Sequence, residues 1–242
     1  MNLVSPLVAL AWMVPFLMGG TVRPGPSSQR SWISAAGGMA VAYVFLDLLP
    51  EMQRMQEAFS AASTTRAFLF PHYRVYTSAL AGFVLFYALE HMVVTSRPEG
   101  RARSESERPG IYWVQVVGFA VYCGLMAYVL RADADTRMLS TLLYGFAMLC
   151  HFWIVDRSLR KEHGARYVAS GHWVPCLGIL AGWTIAAAGF ASDLVVPTLM
   201  GFIAGGVVLN SVKGELPGEG EGRPIPVIAG ASGYAILLLL VG

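Results

Sequence analysis

Charge is what this sequence lacks. Only 13% of its 242 residues are Asp, Glu, Lys or Arg, against roughly a quarter in an ordinary soluble domain. The mean hydropathy of +0.55 excludes a conventional water-soluble globule. A net charge of +2 without a basic cluster argues against nucleic acid as a partner. Cysteine is also scarce. Cys123, Cys150 and Cys176 all fall inside apolar runs, which disfavours a disulfide framework and reads first as small apolar packing. Alternating apolar and polar segments of the kind a membrane barrel needs are missing too, so strands are not expected.

What remains is a set of continuous apolar runs rich in Leu, Ala and Gly. About 20 residues at roughly 1.5 Å rise cover a hydrocarbon core of about 30 Å. Eight runs approach that length: residues 3–20, 31–52, 72–95, 111–130, 138–158, 173–191, 194–213 and 225–242. The expected fold is an all-α integral membrane protein with eight transmembrane helices in a single domain. The first run lacks the basic n-region and the cleavage pattern of a signal peptide, so it reads as a helix. The segment "SRPEGRARSESERPG", residues 96–110, reads as a flexible cytoplasmic connector.

Orientation follows from the basic residues. The loops after spans 1, 3, 5 and 7 hold twelve of the seventeen Lys and Arg, leaving Arg54, Arg66, Arg74, Arg131 and Arg137 for the others. The positive-inside rule therefore places both termini outside. Such a chain suits a bacterial inner membrane, with the lipid bilayer as its first partner and a homodimer among the assemblies it admits.

Two segments resemble each other. "AGGMAVAYVFLDLLPE", residues 36–51, aligns without a gap on "AGGVVLNSVKGELPGE", residues 204–219, matching Ala-Gly-Gly, an acid followed by Leu, and a final Glu. Spans 2 and 7 run in opposite directions, so the match predicts an inverted repeat of helices 1–3 and 6–8 with helices 4–5 between them. A chance match between Gly-rich segments is the alternative. The spacings Gly178/Gly182 and Gly201/Gly205 predict close helix contacts. Trp12, Trp32, Trp113 and Trp173 lie near span ends and read as interfacial anchors.

The acids are few enough to weigh singly. Asp47 and Glu51, four apart near the outer end of span 2, share a helical face that would attract a cation; pairing with Arg54 or Arg74 in the headgroup region accounts for them equally well. Pro50 between them removes an N–H and frees a carbonyl one turn back, which suits a bent helix at a wet entrance. Glu90, His91, Asn210 and Glu215, with Asp156, are candidates for an inner polar vestibule, or are simply solvated span ends.

With its topology, "FLDLLPE", "FYALEH" and "GELPGE", the chain resembles the ZIP family of zinc and iron permeases. The resemblance implies a transporter moving a divalent metal such as zinc, iron or manganese, without an organic cofactor or an enzymatic activity. It also implies metal ligands on spans 4 and 5, in His-Asn-x-x-Asp and His-Glu-x-Pro-His-Glu type patterns. Here the sequence departs from the family. Residues 117–130, "VGFAVYCGLMAYVL", contain no carboxylate or histidine, and span 5 keeps only His151, with Asp156 towards its end.

The metal candidates are thus His151 and, more loosely, Asp156 and Cys123. Each has a plainer role. An intramembrane histidine can cap a hydroxyl or carbonyl of a neighbouring helix, and Asp156 has Arg160 four residues on as a surface ion-pair partner. Two functions stay open: a ZIP-like transporter of a divalent cation or other small solute through spans 2, 4, 5 and 7, and a transport-inactive membrane scaffold or regulator. An intramembrane hydrolase would need about three converging His or acid ligands, and the five histidines are scattered along the chain.

Overall fold

The computed structural model describes residues 3–20, 26–62, 73–95, 109–132, 138–190, 195–210 and 224–241, and every regular element among them is helical. In chain order they are α1 (Val4–Ala11), α2 (Val14–Met18), α3 (Pro26–Tyr43), α4 (Leu49–Ala62), α5 (Arg74–Thr95), α6 (Pro109–Ala132), α7 (Met138–Arg166), α8 (Trp173–Ile185), α9 (Val195–Asn210) and α10 (Pro224–Val241). Helices α3, α6 and α10 each begin on proline, which is tolerated there because the first N–H groups of a helix have no intrahelical partner.

Helices α3 and α4 are continuous through a π turn, Val44–Leu48. Pro50 is its cause. It offers no N–H to Leu46, and its ring crowds that carbonyl, so the preceding turn widens; the N–H of Leu49 reaches back five residues to Val44 O. The helix is thus held together where the sequence leads one to expect a bend. Two further π turns, Tyr167–Gly171 and Ala186–Phe190, flank α8.

Taking α1 with α2 across the turn at residues 12–13 and α3 with α4 through the π turn, the described residues hold eight helical segments, each overlapping one of the eight apolar runs. Among the described residues three helices, Ser34–Ala58, Gly110–Ala132 and Trp173–Phe190, are long and apolar enough to cross a membrane; Val4–Met18, Val195–Leu209 and Pro224–Leu240 are shorter apolar helices. Large apolar side chains point outwards along them, with Ile225 at 79% and Leu240 at 82% exposure on α10. That is compatible with a membrane protein. Two helices outrun the hydropathy: the segment after Pro50 continues to Ala62, and α7 continues past Ser158 to a kink at Gly164, whose φ of 55° takes it out of the helix before Arg166.

The chain divides into two compact units. One comprises Met1–Gly25 with Phe86–Gly189, and the other Pro26–Leu85 with Phe190–Gly242. The first contains α1, α2, the end of α5, α6, α7 and α8. Its aromatic core is centred on Trp12, which is fully buried, packs edge-on against Tyr144 and Phe152 at 5.6 and 5.3 Å, and donates from Nε1 to Gly145 O at 2.8 Å. Trp12 is therefore a core residue and not an interfacial anchor, because its face of α1 lies against α7. Trp32, Trp113 and Trp173 are exposed as anchors should be. In the same unit α6 and α8 touch backbone to backbone: a Cβ on Gly178 would overlap Ala120 O, and one on Gly182 would overlap Gly124 O.

In the second unit the same device occurs twice. A Cβ on Gly38 of α3 would overlap Val227 O and press on Ala231 N of α10, while a Cβ on Gly230 would overlap Ala35 O. A Cβ on Gly205 of α9 would overlap Ala79 O and press on Phe83 N of α5, while one on Gly82 would overlap Phe202 O. The two crossings correspond atom for atom. Gly205 and Phe202 lie 167 positions beyond Gly38 and Ala35, and Val227, Gly230 and Ala231 each lie 148 beyond Ala79, Gly82 and Phe83. The ungapped sequence match places Gly38 on Gly206, one residue away from this contact register.

Candidate functional site

The first unit holds the most polar interior among the described residues. Asp156 is 1% exposed, and both of its oxygens are engaged. Arg160, one turn on along α7, donates from Nε to Oδ2 at 2.6 Å, and Tyr167 donates its hydroxyl to Oδ1 at 3.2 Å. The other arm of the guanidinium donates from Nη2 to Phe16 O at 2.6 Å, supplying a partner to one of the carbonyls that the short helix α2 leaves without an intrahelical donor. Arg160 also lies 5.6 Å from the centre of the Tyr167 ring. Gly19 lets the carboxylate approach, since a Cβ there would overlap Asp156 Oδ2.

The pairing of Asp156 with Arg160 follows the spacing read from the sequence, but its setting does not. It is a buried pair, because α2 and Tyr167 close over it. Burial and the adjacent carboxylate push the Tyr167 phenol upwards, which keeps it protonated and donating. A metal ion at Asp156 would meet the Arg160 guanidinium, a positive charge already paired with Oδ2. Tyr167 carried no signal in the sequence, because the chain leaves helical geometry at Gly164, between it and Asp156. The Phe16 carbonyl carried none either.

His151, 2% exposed, places Nε2 3.4 Å from the Tyr122 hydroxyl of α6. Rings surround the pair: Phe86 lies 4.8 Å from Tyr122, and Phe152 6.0 Å from His151. The arrangement matches the plainer role, a histidine meeting a hydroxyl on a neighbouring helix. Cys123, Cys150 and Cys176 are free and buried. Among the described residues no three His, Cys, Asp or Glu side chains gather where they would hold a metal ion.

In the second unit Asp47 lies half-buried inside the π turn. Glu51 and Arg54 are close enough to act on its charge, and Glu51 pairs with Arg54 at 3.2 Å. The acids thus sit together as expected, with Arg54 and not Arg74 as the cation paired with Glu51. Glu90 is half-buried and His91 exposed near the end of α5, in the first unit, with the His91 ring 5.9 Å from Tyr87. Asn210 ends α9; its side chain, and Glu215 altogether, lie outside the described residues.

The sequence also gave no warning of a second polar contact. Gln115 of α6 donates from Nε2 to Glu162 Oε2 at 2.8 Å, and next to it the Arg166 guanidinium lies 4.2 Å from the centre of the Tyr112 ring. No protein-family model matches the chain, and no curated protein matches it.

Proposed function

We propose that this chain is a ZIP-like membrane transporter of inverted-repeat architecture, with eight transmembrane helices, both termini outside, and a divalent metal cation or another small solute as its cargo. The observation that carries this reading is the duplicated glycine crossing. Helices 2 and 8 meet through Gly38 and Gly230 as helices 7 and 3 meet through Gly205 and Gly82, at constant offsets. A duplication that exchanges helices 2 and 3 for helices 7 and 8 fits repeat-built transporters, in which broken or widened helices accompany the substrate route. The half-buried Asp47 in its π turn, with Glu51 beside it, is the acidic pair best suited to attract a cation.

The test is uptake into liposomes holding the purified protein, screened with zinc, iron, manganese, cobalt and cadmium. Saturable uptake that falls to the level of empty liposomes in Asp47→Asn, with Glu51→Gln intermediate, is the expected result. Flux untouched by both substitutions removes the role of the acidic pair, and absence of flux from folded protein removes transport.

A second reading has its own observation. His151 and Asp156, the residues nearest in place to the family's metal ligands, spend their polar atoms on Tyr122, Arg160 and Tyr167. That favours a ZIP-like scaffold or regulator that has lost transport. Deletion that leaves metal uptake of the cell unchanged while abolishing a partner's membrane retention would select it.

A further inference from the structure

The end of the first unit where α6 begins and α7 finishes sorts its charges by sign. Residues 156–166, "DRSLRKEHGAR", carry two acids and four basic residues of the Lys or Arg type. Both acids turn inwards: Asp156 to Arg160 and Tyr167, Glu162 to Gln115. What the segment shows to its surroundings is therefore cationic. Arg157, Lys161 and Arg166 are all exposed, and Arg157 and Lys161 share a face at i and i+4.

The surface has a second component. Arg166 is not a loose side chain, because its guanidinium rests 4.2 Å above the Tyr112 ring. The Tyr112 ring centre is in turn 5.1 Å from that of Trp113, a residue 44% exposed. Val114 and Val117, at 45% each, continue that exposed apolar strip along α6. A cation held over an aromatic platform, an indole beside it and an apolar strip beyond it is the profile of a side chain sequence crossing from headgroups into hydrocarbon.

We infer that this end of the unit binds the headgroup of an anionic phospholipid, with Arg157 and Lys161 on their shared face of α7 and Arg166 over Tyr112 supplying the positive charge, and Trp113 and Val117 against the glycerol and upper acyl chain. The argument for this occupant is charge complementarity beside α6, whose exposed Trp113, Val114 and Val117 belong to a helix long and apolar enough to cross a membrane. The inference does not depend on what the chain transports.

The experiment uses the full chain in nanodiscs of equal phosphatidylglycerol and phosphatidylcholine, extracted into mild detergent, with retained lipid counted by native mass spectrometry. Each basic side chain near an anionic surface is expected to change the preference about fivefold. The wild type should retain phosphatidylglycerol in clear excess, and Arg157→Gln/Lys161→Gln/Arg166→Gln should bring the ratio close to that of the bulk bilayer. Arg54→Gln/Arg131→Gln, which the distribution of basic residues places on the opposite side of the membrane, should keep the excess. On the wild-type chain alone, raising salt from about 0.1 to about 1 M should erode the excess, because screening shortens from about 10 to about 3 Å. An excess that survives the triple substitution, or a wild-type ratio equal to the bulk at low salt, overturns the inference.

Discussion

The two units of this chain solve the same problem with different chemistry. In the second, helices are brought together by removing side chains: Gly38, Gly230, Gly205 and Gly82 let backbone carbonyls meet the facing helix directly. In the first, one such crossing between α6 and α8 is supplemented by a charged knot in which Arg160 ties Asp156 to the end of α2. The contrast follows from what apolar surroundings reward. Lipid gives little for burying leucine, so association comes from close backbone approach or from polar groups that have no other partner. Backbone approach needs only glycine at the crossing. A buried charge needs every one of its partners, so the first unit is the more exposed to single losses.

That contrast can be broken most severely at Arg160. Arg160→Ala strands Asp156 in the interior and should cost about 3–5 kcal/mol of stability, read from thermal unfolding or protease resistance in detergent. Arg160→Gln combined with Asp156→Asn should recover a large part of that loss; equal damage from the single and double variants would show that the charge was not the cause.

Next come the crossings. Gly38→Ala and Gly205→Ala each drive a methyl into a carbonyl oxygen and should cost about 1–3 kcal/mol, in matched amounts, by the same assay. Gly233→Ala has nothing within 4 Å of its Cβ and should be nearly neutral. Unequal losses at Gly38 and Gly205 would break the equivalence of the two helix pairs. A smaller effect is expected at Trp12→Phe, which keeps much of the ring packing and gives up the bond to Gly145 O, worth about 1 kcal/mol. Least of all, Arg54→Ala should change stability by about 0–1 kcal/mol, since its pairing with Glu51 is largely in the open.

Apolar runs made the helices legible, and the order α1 to α10 departs from the sequence reading mainly at the ends. Hydropathy reports the solvent around a segment, not its hydrogen bonding, so the helix beyond Ser158 up to the kink at Gly164 ("LRKEH") and beyond Met52 ("QRMQEAFSAA") was invisible to it. Spacing made the Asp156–Arg160 pair and the close contacts of Gly178, Gly182, Gly201 and Gly205 legible, because i and i+4 fix a shared face within one helix. Which helix meets that face is a matter of long-range packing. For that reason Trp12 read as an anchor although it is core, and neither Phe16 O nor the Gln115–Glu162 contact was foreseeable.

The widened turn at Val44–Leu48 has a consequence for helical phase. Each residue advances an α-helix by about 100°, and a π turn absorbs roughly one residue's worth of that advance. Everything after Leu48, including Glu51, is therefore set back in azimuth relative to Asp47 and the helix before it. Pro50 stands as the timing element. Replacing it with alanine and deleting one residue of the turn would leave a plain α-helix, with Glu51 and Met52 directed as they are now, whereas either change alone would leave the two halves of the longest helical segment before α5 out of phase.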